Sequence, residues 1–366
     1  PILTEAFDRY RTYCAPGPTT QMPPLPTKLV FAEHCDALSQ LEQQPGLDHF
    51  AGTLQGWEGG SGLLNLDAEP APRAFYTEVL TKEATRALED LAAQAGVAMS
   101  TLVMAAWGVV TARFSGRGDT VFGNTLAGRH LVKGMQDAVG CFLTTVPMRL
   151  KLTPGQTIGD ILSDMRTQQI DLRPFEQTPL TKIRARTDVP PGVPLFDTVV
   201  VFETTTLDAQ LKTFKNGWEN RTVDLREEGS TPATLAVYHG EQVKLAIEYD
   251  PQQVPDGPRV AKYMQQFLRN LVTATPDTPI AAISMLSRDE IQSLYQLSGE
   301  KTARAITPRH CLTLFADQVA ARPGHVAACQ DGAETLSYGA LDAAANRLAH
   351  TLVAHGVLPR DIVGIC

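Results

Sequence analysis

Between Thr101 and Phe114 the chain reads Thr-Leu-Val-Met-Ala-Ala-Trp-Gly-Val-Val-Thr-Ala-Arg-Phe, apolar on almost every side of a helix. A helix without a polar face has to be enclosed, so this segment predicts a buried helix around which other elements are wrapped. Ser100 is its expected cap. Nowhere does the sequence hold a run of about eighteen apolar residues, the least that a single membrane-crossing helix needs.

The enclosing elements follow from local pattern. Phe196 to Phe202, with Val199, Val200 and Val201 in a row, reads as a strand buried on both faces. Ala233 to Tyr238 and Gln242 to Tyr249 alternate around His239-Gly240-Glu241 and predict a hairpin with Val243, Leu245, Ile247 and Tyr249 on one face. Ala74 to Leu80, Thr120 to Leu126 and Thr145 to Leu152 are further strands. Thr81, followed by Glu83, caps a helix whose inner face holds Leu88, Leu91 and Ala92, with Gly96 at its end. Thr157 opens another helix through Leu172, and Val260, Met264, Phe267, Leu268 and Leu271 mark a long amphipathic one. Helices are expected also at 29–41 and 47–57, behind a proline-rich connector. Helices among widely spaced strands predict an α/β sandwich.

Thr275 to Thr302 is a change of regime, with Pro276, Asp277 and Pro279 and then a short polar helix from Ser287. A new pattern begins at Thr307: a helix from Leu312 to Ala321, a hairpin around Asp331-Gly332, a helix from Ala340 to His355, and a strand. The expected division is 1–285, a linker at 286–306, and a second domain at 307–366. The first residue is not Met, and the last six, Asp361 to Cys366, form a β-prone apolar run, so both ends read as truncations.

Composition narrows the function. The net charge of −8 argues against a general nucleic-acid or anionic-membrane binder, either of which needs a basic face. Six scattered cysteines with no C-x-x-C pair read as reduced thiols, not as a disulfide or zinc framework, and no secretory leader is visible, so the expected location is cytoplasmic. There is no Walker phosphate loop, and Gly116-Arg117-Gly118 lacks the third glycine of a dinucleotide fingerprint. Leu63 stands where a G-x-S-x-G elbow needs glycine. The eight histidines form no H-E-x-x-H and no metal-binding spacing. His34-Cys35-Asp36 could suggest a nucleophile dyad, but adjacent helical residues point apart, so these are read as surface polar residues. The residues by themselves support an α/β protein with no visible catalytic signature.

Four segments go further when taken in order. Thr120 to Arg129 (TVFGNTLAGR) resembles the V-x-G-x-x-x-x-G-R strand of the condensation domains of nonribosomal peptide synthetases. Val139 to Arg149 (VGCFLTTVPMR) is similar to that family's V-G-x-F-x-N-T-x-P-x-R segment, Phe175 to Leu180 to its next helix end, and Pro194 to Glu203 to its next strand. Ile291 to Glu300 resembles the connector that follows, and Leu336 to Leu341 with Ala345 to Ala349 resembles the opening of an adenylation domain.

The resemblance implies a chloramphenicol-acetyltransferase-like α/β sandwich lobe, followed by an incomplete adenylation-domain fragment. The expected function is condensation of carrier-bound aminoacyl or peptidyl thioesters into a peptide bond. Alternatives are an epimerization domain of the same fold and a non-catalytic carrier-docking piece. The family's H-H-x-x-x-D-G motif is not in this sequence, so no catalytic residue and no metal ligand is expected here. Arg129 is implied to support the active site by pairing with that motif's aspartate. Thr144, Thr204 and Phe142 are candidate tunnel-lining residues, although both threonines stand where the family often has asparagine, and Phe142, like Phe175 and Phe196, reads at least as well as core. The chain itself is expected to bind no cofactor. Phosphopantetheine would arrive on partner carrier proteins, and ATP and magnesium would belong to the complete adenylation domain. The other implied partner is the N-terminal condensation lobe, with no nucleic acid and no membrane.

Overall fold

A computed structural model describes residues 31–60, 62–65, 67–135, 138–203, 231–298, 310–329 and 335–364, together with residues 5, 6, 9, 10, 12 and 13. The chain divides into two compact units, Pro1–Gln292 and Ser293–Cys366.

The larger unit is built on a six-stranded mixed sheet. Its strands are β1 (Ala74–Val79), β2 (Asp119–Leu126), β3 (Thr144–Lys151), β4 (Thr198–Glu203), β5 (Ala233–His239) and β6 (Val243–Tyr249), in the order β1-β6-β5-β4-β2-β3. β4 runs parallel to both of its neighbours, and every other pair is antiparallel. That central position accounts for its unbroken valines, because a strand covered on both faces has no side left for polar residues. The β5–β6 hairpin forms as the alternation predicts, with Val243, Leu245, Ile247 and Tyr249 buried.

The helices of this unit are α1 (Phe31–Gln40), α2 (Gln44–Thr53), α3 (Lys82–Gln94), α4 (Met99–Phe114), α5 (Ile158–Leu172), α6 (Leu180–Arg184), α7 (Gly257–Leu271) and α8 (Arg288–Leu297), the last crossing the unit boundary. α4 is the enclosed helix. It lies against α5, α7, β2 and β3, and every residue from Thr101 to Ala112 is buried. The Trp107 indole, 1% exposed, donates to Thr198 Oγ1 of β4 at 3.1 Å, which satisfies its one polar atom inside the core. The expected cap at Ser100 is displaced. The helix begins at Met99 after Ala98, with no side-chain cap, because alanine has no side-chain oxygen to offer. The caps expected at Thr81 and Thr157 do form. Thr81 accepts from Ala84 N at 3.1 Å, and Thr157 with Asp160 forms a reciprocal capping box on α5.

The smaller unit contains α9 (Cys311–Ala321), a short antiparallel pair β7 (Val326–Ala328) and β8 (Leu336–Ser337), and α10 (Tyr338–Ala354), capped by Ser337 Oγ accepting from Ala340 N. No described residue of this unit is buried. The strand expected at 361–366 does not form over its described part, 361–364, where no neighbouring strand pairs with it.

Candidate functional site

Three of the segments that carry the family resemblance, 120–129, 139–149 and 175–180, meet at one end of the sheet. β2 and β3 pair so that Leu126 faces Thr144. Beyond Leu126 the chain turns at Gly128, whose φ is +63°. A β-carbon there would collide with the carbonyl oxygen of Phe142, so the two segments can approach only because residue 128 is glycine. Gln177 Nε2 donates to the Gly128 carbonyl at 3.1 Å, and Thr144 Oγ1 donates to the Glu176 carbonyl at 2.9 Å. The three segments at 120–129, 139–149 and 175–180 are thereby knotted through their backbones.

Arg129 is half-buried in this knot. Its Nη1 donates to the carbonyls of Met135 and Ala138, each at 2.8 Å, and the guanidinium carbon lies 4.2 Å from the centre of the Phe142 ring. That is a close cation–π contact on top of two charge-assisted hydrogen bonds. No ion pair joins Arg129 to a carboxylate among the described residues. Phe142 is 3% exposed and forms a small cluster with Met135 and Ala138. Its ring is covered in part by α1, so its place is in a packed cluster, not on an open wall. Thr144 is half-buried with its hydroxyl committed to the Glu176 carbonyl. Thr204 lies outside the described residues.

Two features were not legible in the sequence. His34, read as a surface residue, is 1% exposed: α1 turns it inward against Phe142, at 4.8 Å between ring centres. Its Nδ1 is buried without a hydrogen-bond partner, and burial, with the Arg129 charge second, pushes its pKa below the ordinary imidazole value. Arg149, the last residue of the 139–149 segment, is 6% exposed and grips Asp119 with both prongs, Nε to Oδ1 at 3.1 Å and Nη2 to Oδ2 at 2.8 Å. Its Nη1 donates to the carbonyls of Thr53 and Gln55, tying the end of α2 to the edge of the sheet. A cleft of about 400 Å³ runs beside it, lined by Lys151, Asp164 and Gln168 among others, and none of Arg129, Phe142 or Thr144 lines it.

Residues 1–295 match the family model of the condensation domain. A linear gramicidin synthase polypeptide of Brevibacillus parabrevis is 32% identical over 287 residues, which is 78% of this chain and 4% of that protein. Surfactin synthase subunit 3 of Bacillus subtilis (strain 168) is 28% identical over 353 residues, 93% of this chain and 27% of that protein. This chain thus spans only a small part of the synthetases it resembles. Among solved structures, the first condensation domain of the CDA synthetase superposes with a TM-score of 0.61 at 14% identity, covering 78% of this chain and 62% of that one. The six-stranded mixed sheet with its enclosed helix is the chloramphenicol-acetyltransferase-like fold of those domains. The chain belongs to the condensation-domain family of nonribosomal peptide synthetases.

Proposed function

We propose that this chain supplies the C-terminal lobe of a condensation domain that joins two carrier-bound thioesters through a peptide bond. The observation that carries the reading is the convergence of Gly128-Arg129, Phe142, Thr144 and Gln177 at one end of the sheet. In the reaction the amine of one aminoacyl thioester attacks the carbonyl of the other. The new C–N bond forms as the C–S bond breaks, and the amine proton passes by way of a base to the departing pantetheine thiolate. A histidine of near-neutral pKa suits the base role, and it belongs to the H-H-x-x-x-D-G loop that this sequence lacks. The lobe described here would contribute one wall of the substrate tunnel and hold that loop in place. Arg129 is the residue that would reach the loop's aspartate, since its Nη1 is anchored to carbonyls while it keeps further donors. Carrier proteins presenting phosphopantetheine arms would be the partners.

The test is single-turnover formation of a dipeptidyl thioester between two loaded carrier proteins, followed by mass spectrometry. This chain by itself should give no product above the uncatalysed rate. Within a synthetase that places it behind a lobe carrying H-H-x-x-x-D-G, product should form. There Arg129→Ala should slow formation about 10- to 100-fold through misplacement of the histidine loop. Arg129→Lys should recover only part of the loss, because an ammonium cannot reproduce a two-pronged contact. Turnover by the chain alone, or an unimpaired Arg129→Ala, would sink this reading.

The smaller unit is best read as the opening of an adenylation domain. The similarity to surfactin synthase subunit 3 extends over 93% of the chain, past the residues that the condensation family matches, and supports this reading. In a complete adenylation domain ATP and magnesium would activate the amino acid. Residues 307–366 contain neither a glycine-rich phosphate loop nor a lysine, so amino-acid-dependent ATP–pyrophosphate exchange should be absent from the purified chain. Exchange with any amino acid would refute the assignment of these residues as a fragment.

A further inference from the structure

Helix α1 is fastened over the Arg129 site by two rings. Phe31 meets Phe142 edge-on, with 5.0 Å between ring centres and planes at 86°. It reaches that position because residue 140 is glycine, where a β-carbon would collide with the Phe31 ring. His34, one turn further along α1, stacks on Phe31 at 5.7 Å and meets Phe142 at 4.8 Å. The same Phe142 ring carries the Arg129 guanidinium. His34 therefore sits in an apolar seat with a fixed cation beside it, and among the described residues its Nδ1 is the one buried side-chain nitrogen or oxygen without a hydrogen-bond partner.

That seat accepts a neutral imidazole and rejects an imidazolium. An imidazolium carries a proton on both ring nitrogens, so Nδ1 would be a buried donor with no acceptor, and the charge would stand beside another of the same sign. Among the described residues no acid acts on His34. Glu33 and Asp36, His34's neighbours on α1, are exposed, as is Cys35. On the facing segment His130, Lys133 and Cys141 are exposed, and Arg129 is the only charged group among the described residues that acts on His34. We propose that His34 is a proton-operated clasp: with a neutral imidazole it holds α1 on the Arg129–Phe142 site, and taking up a proton releases the helix and uncovers that site. The clasp does not depend on which reaction the site supports.

The direction of the pH effect follows from linkage. Burial, and Arg129 second, lower the imidazole pKa in the docked state, so docked α1 binds fewer protons than released α1. Docking is at full strength above the ordinary imidazole value of about 6.5 and weakens as the pH falls through it. The weakening approaches tenfold per pH unit until the docked pKa is reached.

Amide hydrogen exchange of the full chain between about pH 8 and about pH 5, corrected for intrinsic rates, tests this. Protection of residues 31–40 should fall by up to tenfold per pH unit below about 6.5, while protection of 99–114 in the enclosed helix holds. In His34→Phe, which keeps a ring and cannot titrate, protection of 31–40 should not change with pH. His34→Leu serves as a second non-titrating variant should phenylalanine not fit. If neither variant docks, NMR titration of the His34 ring in the wild type decides: a midpoint below about 6.5 that coincides with release of 31–40 supports the clasp, and any other midpoint overturns it. The idea is also overturned by flat protection in the wild type, by an unchanged pH dependence in a docked variant, or by loss of 99–114 in step with 31–40.

Discussion

Arg149→Ala should destabilise the larger unit by about 3–5 kcal/mol, the usual cost of leaving one member of a buried ion pair behind. The Arg149 side chain is 6% exposed and that of Asp119 27%, so the pair is largely withdrawn from water. The guanidinium holds both carboxylate oxygens and also the carbonyls of Thr53 and Gln55, and it lies 5.9 Å from the Trp57 ring. Removal thus leaves a carboxylate without its partner and two carbonyls without donors, at the point where α2 joins the sheet. Trp57 is held from its other side by its own Nε1 bond to the Leu195 carbonyl at 2.8 Å, so damage should spread toward the start of β4. For a domain of this size the loss corresponds to a fall in melting temperature of roughly 10 °C, read by near-ultraviolet circular dichroism. Arg149→Lys should retain less than half of the stabilisation, since one ammonium cannot bridge two carboxylate oxygens and two carbonyls together. A variant Arg149→Ala melting within about 2 °C of the wild type would show the network to be ornamental.

The contrast between what the sequence disclosed and what it concealed has a physical basis. Thr81, Thr157 with Asp160, and the β5–β6 alternation are local: donor and acceptor lie within a turn or a strand pair, so the pattern is complete in a few residues. The enclosed helix α4 was legible for a different reason, because a surface without polar residues admits only one environment. Ser100 misled because the helix starts one residue earlier, at Met99, which puts Ser100 inside the first turn and the capless Ala98 at its end. His34 was misread because exposure on a short helix is decided by what lies opposite, and the opposing ring is Phe142, more than a hundred residues away. The Arg149–Asp119 pair spans two strands whose register no spacing rule supplies. The resemblance pointed to Arg129, Phe142 and Thr144 without indicating that Gln177 and Glu176 close the same knot.

Gly128→Ala should damage the site more than its single added methyl group suggests, and a comparison with Gly116 can show why. Both glycines have positive φ, +63° and +70°. A side chain in that region costs about 1–2 kcal/mol at either position. The surroundings differ: a β-carbon at Gly116 meets nothing within 4 Å, whereas one at Gly128 runs into the Phe142 carbonyl, a backbone atom that cannot rotate away. Gly116→Ala should therefore cost only the conformational term, and Gly116→Asn less still, because asparagine tolerates the left-handed region. Gly128→Ala should cost about 3 kcal/mol or more, the conformational term plus the backbone shift, and Gly128→Asn should bring no relief because its β-carbon makes the same collision. The shift would separate Arg129 from the Phe142 ring and loosen the Gln177 bond to the Gly128 carbonyl. In an intact synthetase, dipeptide formation by Gly128→Ala should fall about 100-fold, the usual consequence of a displacement on the order of 1 Å at a reacting centre. Thermal melting of the four variants and single-turnover condensation by the Gly128 pair decide the matter. Should Gly128→Asn recover as Gly116→Asn does, the constraint at residue 128 is one of backbone angle alone, and the close approach of the two segments is not what the site depends on.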